Sequence, residues 1–166
     1  SMQTRVFHMY SPIAALMFAP LSLLPVPYAY ILHSCVSLAA CALSVALFWR
    51  ICHWGPVSNR ETVPLLVVLF GLAIAPTFHD VYSGNVSSVL LLICVLFLGL
   101  VSRDRPGLAG VVLTVGFWLK LYPIILLLLV AGRRDWWKIL GSFALTVSVS
   151  FLIAIAWMPF DLFVQF

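Results

Sequence analysis

A chain of 166 residues that is 64% hydrophobic and 8% charged, with a mean hydropathy of +1.15, lies outside the range of soluble globular domains. The period-2 alternation of a membrane barrel is absent, and blocks such as Val89–Val101 are apolar on every side, so the expected class is an all-α integral membrane protein, a polytopic helical bundle. The formal charge of +4 comes from nine Lys/Arg against five Asp/Glu in short loops, which is a topology pattern and not a nucleic-acid surface.

One transmembrane domain over 1–166 is expected, built from short or broken helices. Residues 1–24 hold a single early cation, Arg5, and no A-x-A cleavage site, so a removable signal peptide is not expected; Ser1-Met2 reads as an added start. Ile13–Leu24, between Pro12 and Pro25, covers roughly 18 Å and reads as a half-span. After Pro25-Val26-Pro27 a full crossing is expected over 28–49, with Ser37, Cys41 and Ser44 as a small-residue stripe for close helix packing. A loop with Arg50, His53, Gly55, Pro56 and Arg60 follows. The next helix, 63–76, is opened by Ser58 and Glu61 at capping-box spacing and closed by Pro76.

The segment His79–Asn85 reads as a polar loop. A crossing over 86–101 follows, then the charged turn Ser102–Pro106 with Arg103, Asp104 and Arg105. Two short apolar runs, 107–119 and 121–131, flank Lys120, with Tyr122 and Pro123 just beyond it. Arg133, Arg134 and Lys138, with Trp136 and Trp137 as interfacial anchors, lead into a last helix over 139–158 that carries Ser142, Thr146 and Ser150 along one face.

Charge suggests a topology. With the Arg50–Arg60 loop in the cytoplasm, the Arg103/Arg105 turn returns there. If the two short runs form a hairpin, Arg133, Arg134 and Lys138 do as well, and His79–Asn85 and Lys120–Pro123 share the opposite side. The competing arrangement is one Pro-kinked helix over 107–131, which places Arg133 and Arg134 outside, against the rule.

Few residues can carry chemistry. Asp80 is the acid of the predicted outer loops ahead of the C-terminal tail; beside His79 it can serve as a general base, or it can simply cap the next helix. Lys120 interrupts apolar sequence, and a cation at mid-membrane costs about 2.5–3.5 kcal/mol on insertion scales. It can neutralise a lipid phosphate or snorkel to the interface along its own stem. Asn85 reads as the N-cap of the following helix, and its place in an Asn-Val-Ser sequon is discounted because that sequon abuts a membrane helix. His8 and His33 lack metal-ligand spacing and read as structural polar groups. Cys35, Cys41, Cys52 and Cys94 form no CxxC pair. No phosphate-binding glycine loop, nucleophile elbow or zinc signature is present, so neither metal nor cofactor is expected.

The order of these pieces resembles a known family over nearly the whole chain. Tyr10-Ser11-Pro12, the Ala19-Pro20 and Leu24-Pro25 breaks, the Gly84-Asn85 turn, Arg105–Gly110, Lys120-x-Tyr122-Pro123 and the basic-aromatic turn Arg133–Lys138 are similar to glycosyltransferase family 87. The family's Gly-Gln before the Gly-Asn turn is replaced here by Ser83. The resemblance implies a GT-C-like membrane fold in a bacterial plasma membrane, crossed several times. It also implies inverting transfer of mannose from a polyprenyl-phosphate donor to a lipid or glycan hydroxyl at the extracytoplasmic face. Lys120 would then meet the lipid phosphate, with Tyr122 and His79 near the sugar.

Members of that family are much longer, and their catalytic aspartate lies in an early outer loop that no residue here matches. Three expectations follow: the chain is a piece of a longer enzyme, or Asp80 takes the aspartate's place, or the chain is inactive. The alternative from another class is a non-catalytic membrane subunit or lipid-binding assembly protein that packs through its small-residue stripes. A transporter would show an internal repeat, and none is evident.

Overall fold

The computed structural model describes residues 23–53 and 85–157, together with Phe18, Pro20 and Leu21. The expected helix over 63–76, the residues His79 and Asp80, and most of the half-span 13–24 lie outside the described residues. Those described are helical or in turns, with no strand among them: α1 (Val26–His53), α2 (Ser87–Ser102), α3 (Pro106–Leu119), a 3-10 turn (Tyr122–Ile125), α4 (Leu126–Val130) and α5 (Trp136–Trp157). They fall into two compact units, divided between Arg105 and Pro106.

The element ends differ from expectation for local reasons. α1 starts inside the Pro25-Val26-Pro27 break, because a proline in the first turn gives up only an N–H that has no partner there anyway. The Pro25 carbonyl accepts from Tyr28 and Ala29 at 2.9 and 3.1 Å. At its other end α1 continues through Arg50 to His53. α2 is capped by Val86 and not by Asn85, whose Oδ1 accepts the Val86 N–H at 2.9 Å. α2 ends on a tight turn in which Arg105 N–H donates to Leu100 O at 2.9 Å, with Asp104 in the left-handed region at φ 52°. α5 takes up Trp136 and Trp137, whose ring centroids lie 3.8 Å apart.

In the first unit α1 and α2 pack side by side and in parallel. A Cβ on Gly99 would come within 3.1 Å of Ile51 Cδ1, which sets the C-terminal ends of the two helices level. Burial agrees: Val26 to Leu32 are largely exposed, and the fully covered stripe of Ser37, Ala40, Cys41 and Ser44 starts where α2 starts. Arg50 therefore lies at the same end of this unit as Arg103 and Arg105.

The second unit is built on α3 and α5. Gly110 abuts Ile139, Ser142 and Phe143; Thr114 Oγ1 donates to Phe143 O at 3.4 Å; Trp118 Nε1 donates to Ser150 Oγ at 2.8 Å. Partner numbers rise together along both helices, so α3 and α5 are parallel and their N-termini share one end. Phe117 and Phe143 add an edge-to-face contact at 5.6 Å.

Parallel pairing dictates the path between them. α3 rises about 20 Å from Pro106 to Leu119, and Trp136 must start level with the beginning of α3, so Lys120–Asp135 runs back along that length. A single kinked helix over 107–131 would carry the chain away from α5 and is excluded. The return leg is not an 11-residue helix either: it is the 3-10 turn, the short α4 and a turn closed by Arg133 N–H to Val130 O at 2.9 Å. Pro123 is the cause. It has no N–H to give Leu119 O, and its ring would crowd that carbonyl, so regular helix stops at Leu119.

Among the described residues, Val26–Ile51 and Trp136–Ala156 are long and apolar enough to cross a membrane. Only about a fifth of each is covered by the rest of the chain. Leu145 and Leu152 of α5 are 66% and 64% exposed, and such apolar surface suits contact with lipid rather than water. Ser34, Ser44, Thr114, Thr146 and Ser150 donate to carbonyls one turn back, leaving no helical hydroxyl of these five without a partner.

Candidate functional site

The break after α3 places two of the candidate residues together. Lys120 N–H closes the last turn of α3 on Gly116 O at 2.9 Å, so its side chain leaves from the C-terminal end of that helix, where the macrodipole favours a cation. Lys120 is half-buried, Pro123 is buried in the turn that follows, and Tyr122 is 54% exposed. An ammonium and a phenol thus lie two residues apart on irregular backbone, at the end of the unit opposite Arg133 and Arg134. This pairing combines a positive charge with a hydrogen-bonding hydroxyl, the groups that suit an anionic, hydroxylated ligand.

Asn85 belongs to the other unit. It is half-buried ahead of α2, with its Oδ1 committed to the Val86 N–H. His79 and Asp80 lie outside the described residues. No group of three or more His, Cys, Asp or Glu side chains is placed to hold a metal ion among the described residues.

The opposite end of the second unit is basic and aromatic. Lys138 Nζ lies 2.8 Å from Asp135 Oδ1 in an exposed pair. The hydrogen bond from Lys138, and then its charge, hold the Asp135 carboxyl below the usual carboxylate range.

The family match decides what this arrangement belongs to. The sequence model of glycosyltransferase family 87 matches residues 7–166. The chain belongs to glycosyltransferase family 87. Lys120-x-Tyr122-Pro123 and the basic-aromatic turn both fall within the matched region. This family 87 chain is also similar to a curated protein of Mycobacterium tuberculosis (strain ATCC 25618 / H37Rv), a polyprenol-phosphate-mannose-dependent alpha-(1-2)-phosphatidylinositol mannoside mannosyltransferase. The two are 27% identical over 87% of this chain and 35% of the relative. The chain thus spans about a third of the length of that relative. No solved structure matches it.

Two pairings in the family 87 chain were not foreseen from sequence. One is the Trp118–Ser150 hydrogen bond that locks α3 to α5. The other is His33 and Ser37, polar residues one turn apart on the covered face of α1. The signal for the second was present, since both lie in a helix whose one charged residue is Arg50.

Proposed function

We propose that this chain is part of a membrane mannosyltransferase with a multi-pass, GT-C-like bundle. It would move mannose from a polyprenyl-phosphate donor to a hydroxyl of a lipid or glycan acceptor at the extracytoplasmic face of a bacterial plasma membrane. The observation that carries the reading is the position of Lys120 and Tyr122 at a helix break opposite the basic end of their unit. Cations next to membrane helices favour the cytoplasm. Applied separately to Arg50/Arg103/Arg105 and to Arg133/Arg134, the rule turns the start of α2 and the end of α3 outward.

The proposed chemistry is an inverting displacement. An acceptor hydroxyl oxygen attacks the anomeric carbon of the mannose as the bond from that carbon to the phosphate oxygen breaks. Lys120 neutralises the charge gathering on the departing polyprenyl phosphate. The hydroxyl proton passes to a carboxylate base, for which Asp80 beside His79 is this chain's candidate, and Tyr122 and Asn85 are its candidates for contact with the sugar. The polyprenyl chain and the acceptor's lipid arrive through the bilayer, so membrane lipids are partners by necessity. The reading involves no cofactor, metal or nucleic acid.

The test uses the full-length protein in membranes given polyprenyl-phosphate-mannose and a lipid acceptor. Transfer is expected, and Lys120→Ala should lower kcat/KM by about 10²-fold, the scale of losing one electrostatic contact to a developing charge. No transfer by the full-length wild type would overturn the proposal. Wild-type activity in Lys120→Ala would remove Lys120 from it.

A further inference from the structure

Polar side chains in the described helices mostly satisfy themselves. Ser34 and Ser44 of α1 each donate to the carbonyl four residues back, at 2.9 and 2.6 Å. Ser37, between them, has the same option at His33 and does not take it. Its side chain is fully buried and its Oγ has no partner; one turn earlier on the same face, the buried Nε2 of His33 has none either. Buried polar atoms without partners are rare, and two neighbouring ones point to a polar group that completes them.

Position and charge identify the class of group. Counting back about fourteen residues from Ile51 and Gly99, at about 1.5 Å per residue, reaches Ser37 on α1 and Asn85 ahead of α2. The pair therefore lies level with the start of α2, at the end of the unit away from Arg50. α1 contains no Asp, Glu or Lys, and Arg50 lies more than three turns from Ser37. With no charged group on this stretch of α1, an imidazole nitrogen and a hydroxyl suit an uncharged hydroxyl better than an anion.

We propose that His33 Nε2 and Ser37 Oγ form a subsite for the hydroxyls of a bound sugar, entered from the side of the membrane opposite Arg50. The choice of sugar rests on the glycosyl-transfer reading above; the site itself rests on the two unpartnered atoms. α1 supplies it from within the bilayer, separately from the Lys120 break.

The full-length protein in nanodiscs, with 15N-labelled histidine, tests this directly. The His33 Nε2 resonance, assigned by its loss in His33→Gln, is followed while octyl α-mannoside is added, with octyl glycerol ether as the control amphiphile. A saturable shift with the mannoside alone is expected. Ser37→Ala should weaken that binding about tenfold, the upper range for one neutral hydrogen bond, without lowering Tm. In the transfer assay the same variant should raise KM and leave kcat within about threefold. A resonance unmoved by mannoside, or moved equally by the control, overturns the proposal and leaves an internal water as the occupant. A lower Tm in Ser37→Ala with mannoside affinity unchanged also overturns it. A mannoside shift without any transfer activity sinks the enzymatic reading and leaves the subsite standing.

Discussion

Gly110 of α3 faces α5 so closely that a Cβ on it would overlap the Ser142 hydroxyl and come within 2.6 Å of Ile139 O and 2.7 Å of Phe143 N. Two of these three neighbours are backbone atoms, which cannot rotate away. In lipid, where helices gain little from hiding apolar surface, such close approach through small residues is a main source of association. Gly110→Ala should therefore destabilise the protein by about 1–3 kcal/mol, the usual range for overpacking. Gly107→Ala, with open space around it, should not. Thermal unfolding of the two variants in the same nanodisc separates them.

The Trp118–Ser150 hydrogen bond at 2.8 Å ties the far ends of the same two helices. Ser150 also donates to Thr146 O, so its hydroxyl both gives and accepts. A double-mutant cycle with Trp118→Phe and Ser150→Ala should give a coupling of about 0.6 kcal/mol and no more than about 1.7, the span measured for hydrogen bonds between membrane helices. Additive effects would show that the bond contributes nothing net.

Parallel α3 and α5 make a prediction about sidedness. In a background with the native cysteines replaced, Gly107→Cys and Arg134→Cys should react with an impermeant maleimide from one side of the membrane. Leu121→Cys, about 20 Å away at the start of the return leg, should not react from that side. The proposed orientation assigns the first pair to the cytoplasm. Labelling of all three from one side would mean the unit does not span as its helix directions require.

Asp135 gives a pH dependence whose sign follows from its partner. The Lys138 hydrogen bond and charge depress its pKa, so its contribution to stability is complete above the unfolded value of about 3.9 and is lost as pH falls through the lower folded value. Both side chains are exposed, 69% for Lys138 and 43% for Asp135, so water and salt screen the pair. Tm should not change through this group between pH 8 and pH 5. Asp135→Asn at pH 7 should shift Tm by less than about 2 °C, and less again at high salt.

Much of this was legible in the residues because lipid imposes strict rules. Long apolar runs have to become helices, since no other open structure pairs its own backbone groups in hydrocarbon, and α1, α2, α3 and α5 each lie on such a run. Pro123 announced the end of regular helix near Lys120, and the stripe of Ser142, Thr146 and Ser150 marked the face of α5 that meets α3. Helix ends were less legible. Pro27, which reads as part of a break, sits in the first turn of α1; Asn85, which reads as a cap, stands one residue before it.

The amino-acid sequence by itself determined that this is a chain of apolar helices, where its cations cluster, and which few polar residues interrupt it, because composition and period answer to the solvent. Charge already suggested that α1 and α2 run in parallel, and tertiary structure decided that α3 and α5 do so too, since direction depends on which residues of distant segments touch. That one fact sends Lys120–Asp135 back along α3 and separates Lys120 from Arg133. Packing alone also showed Ser37 Oγ and His33 Nε2 to be buried without partners, because an unmade hydrogen bond is a property of surroundings.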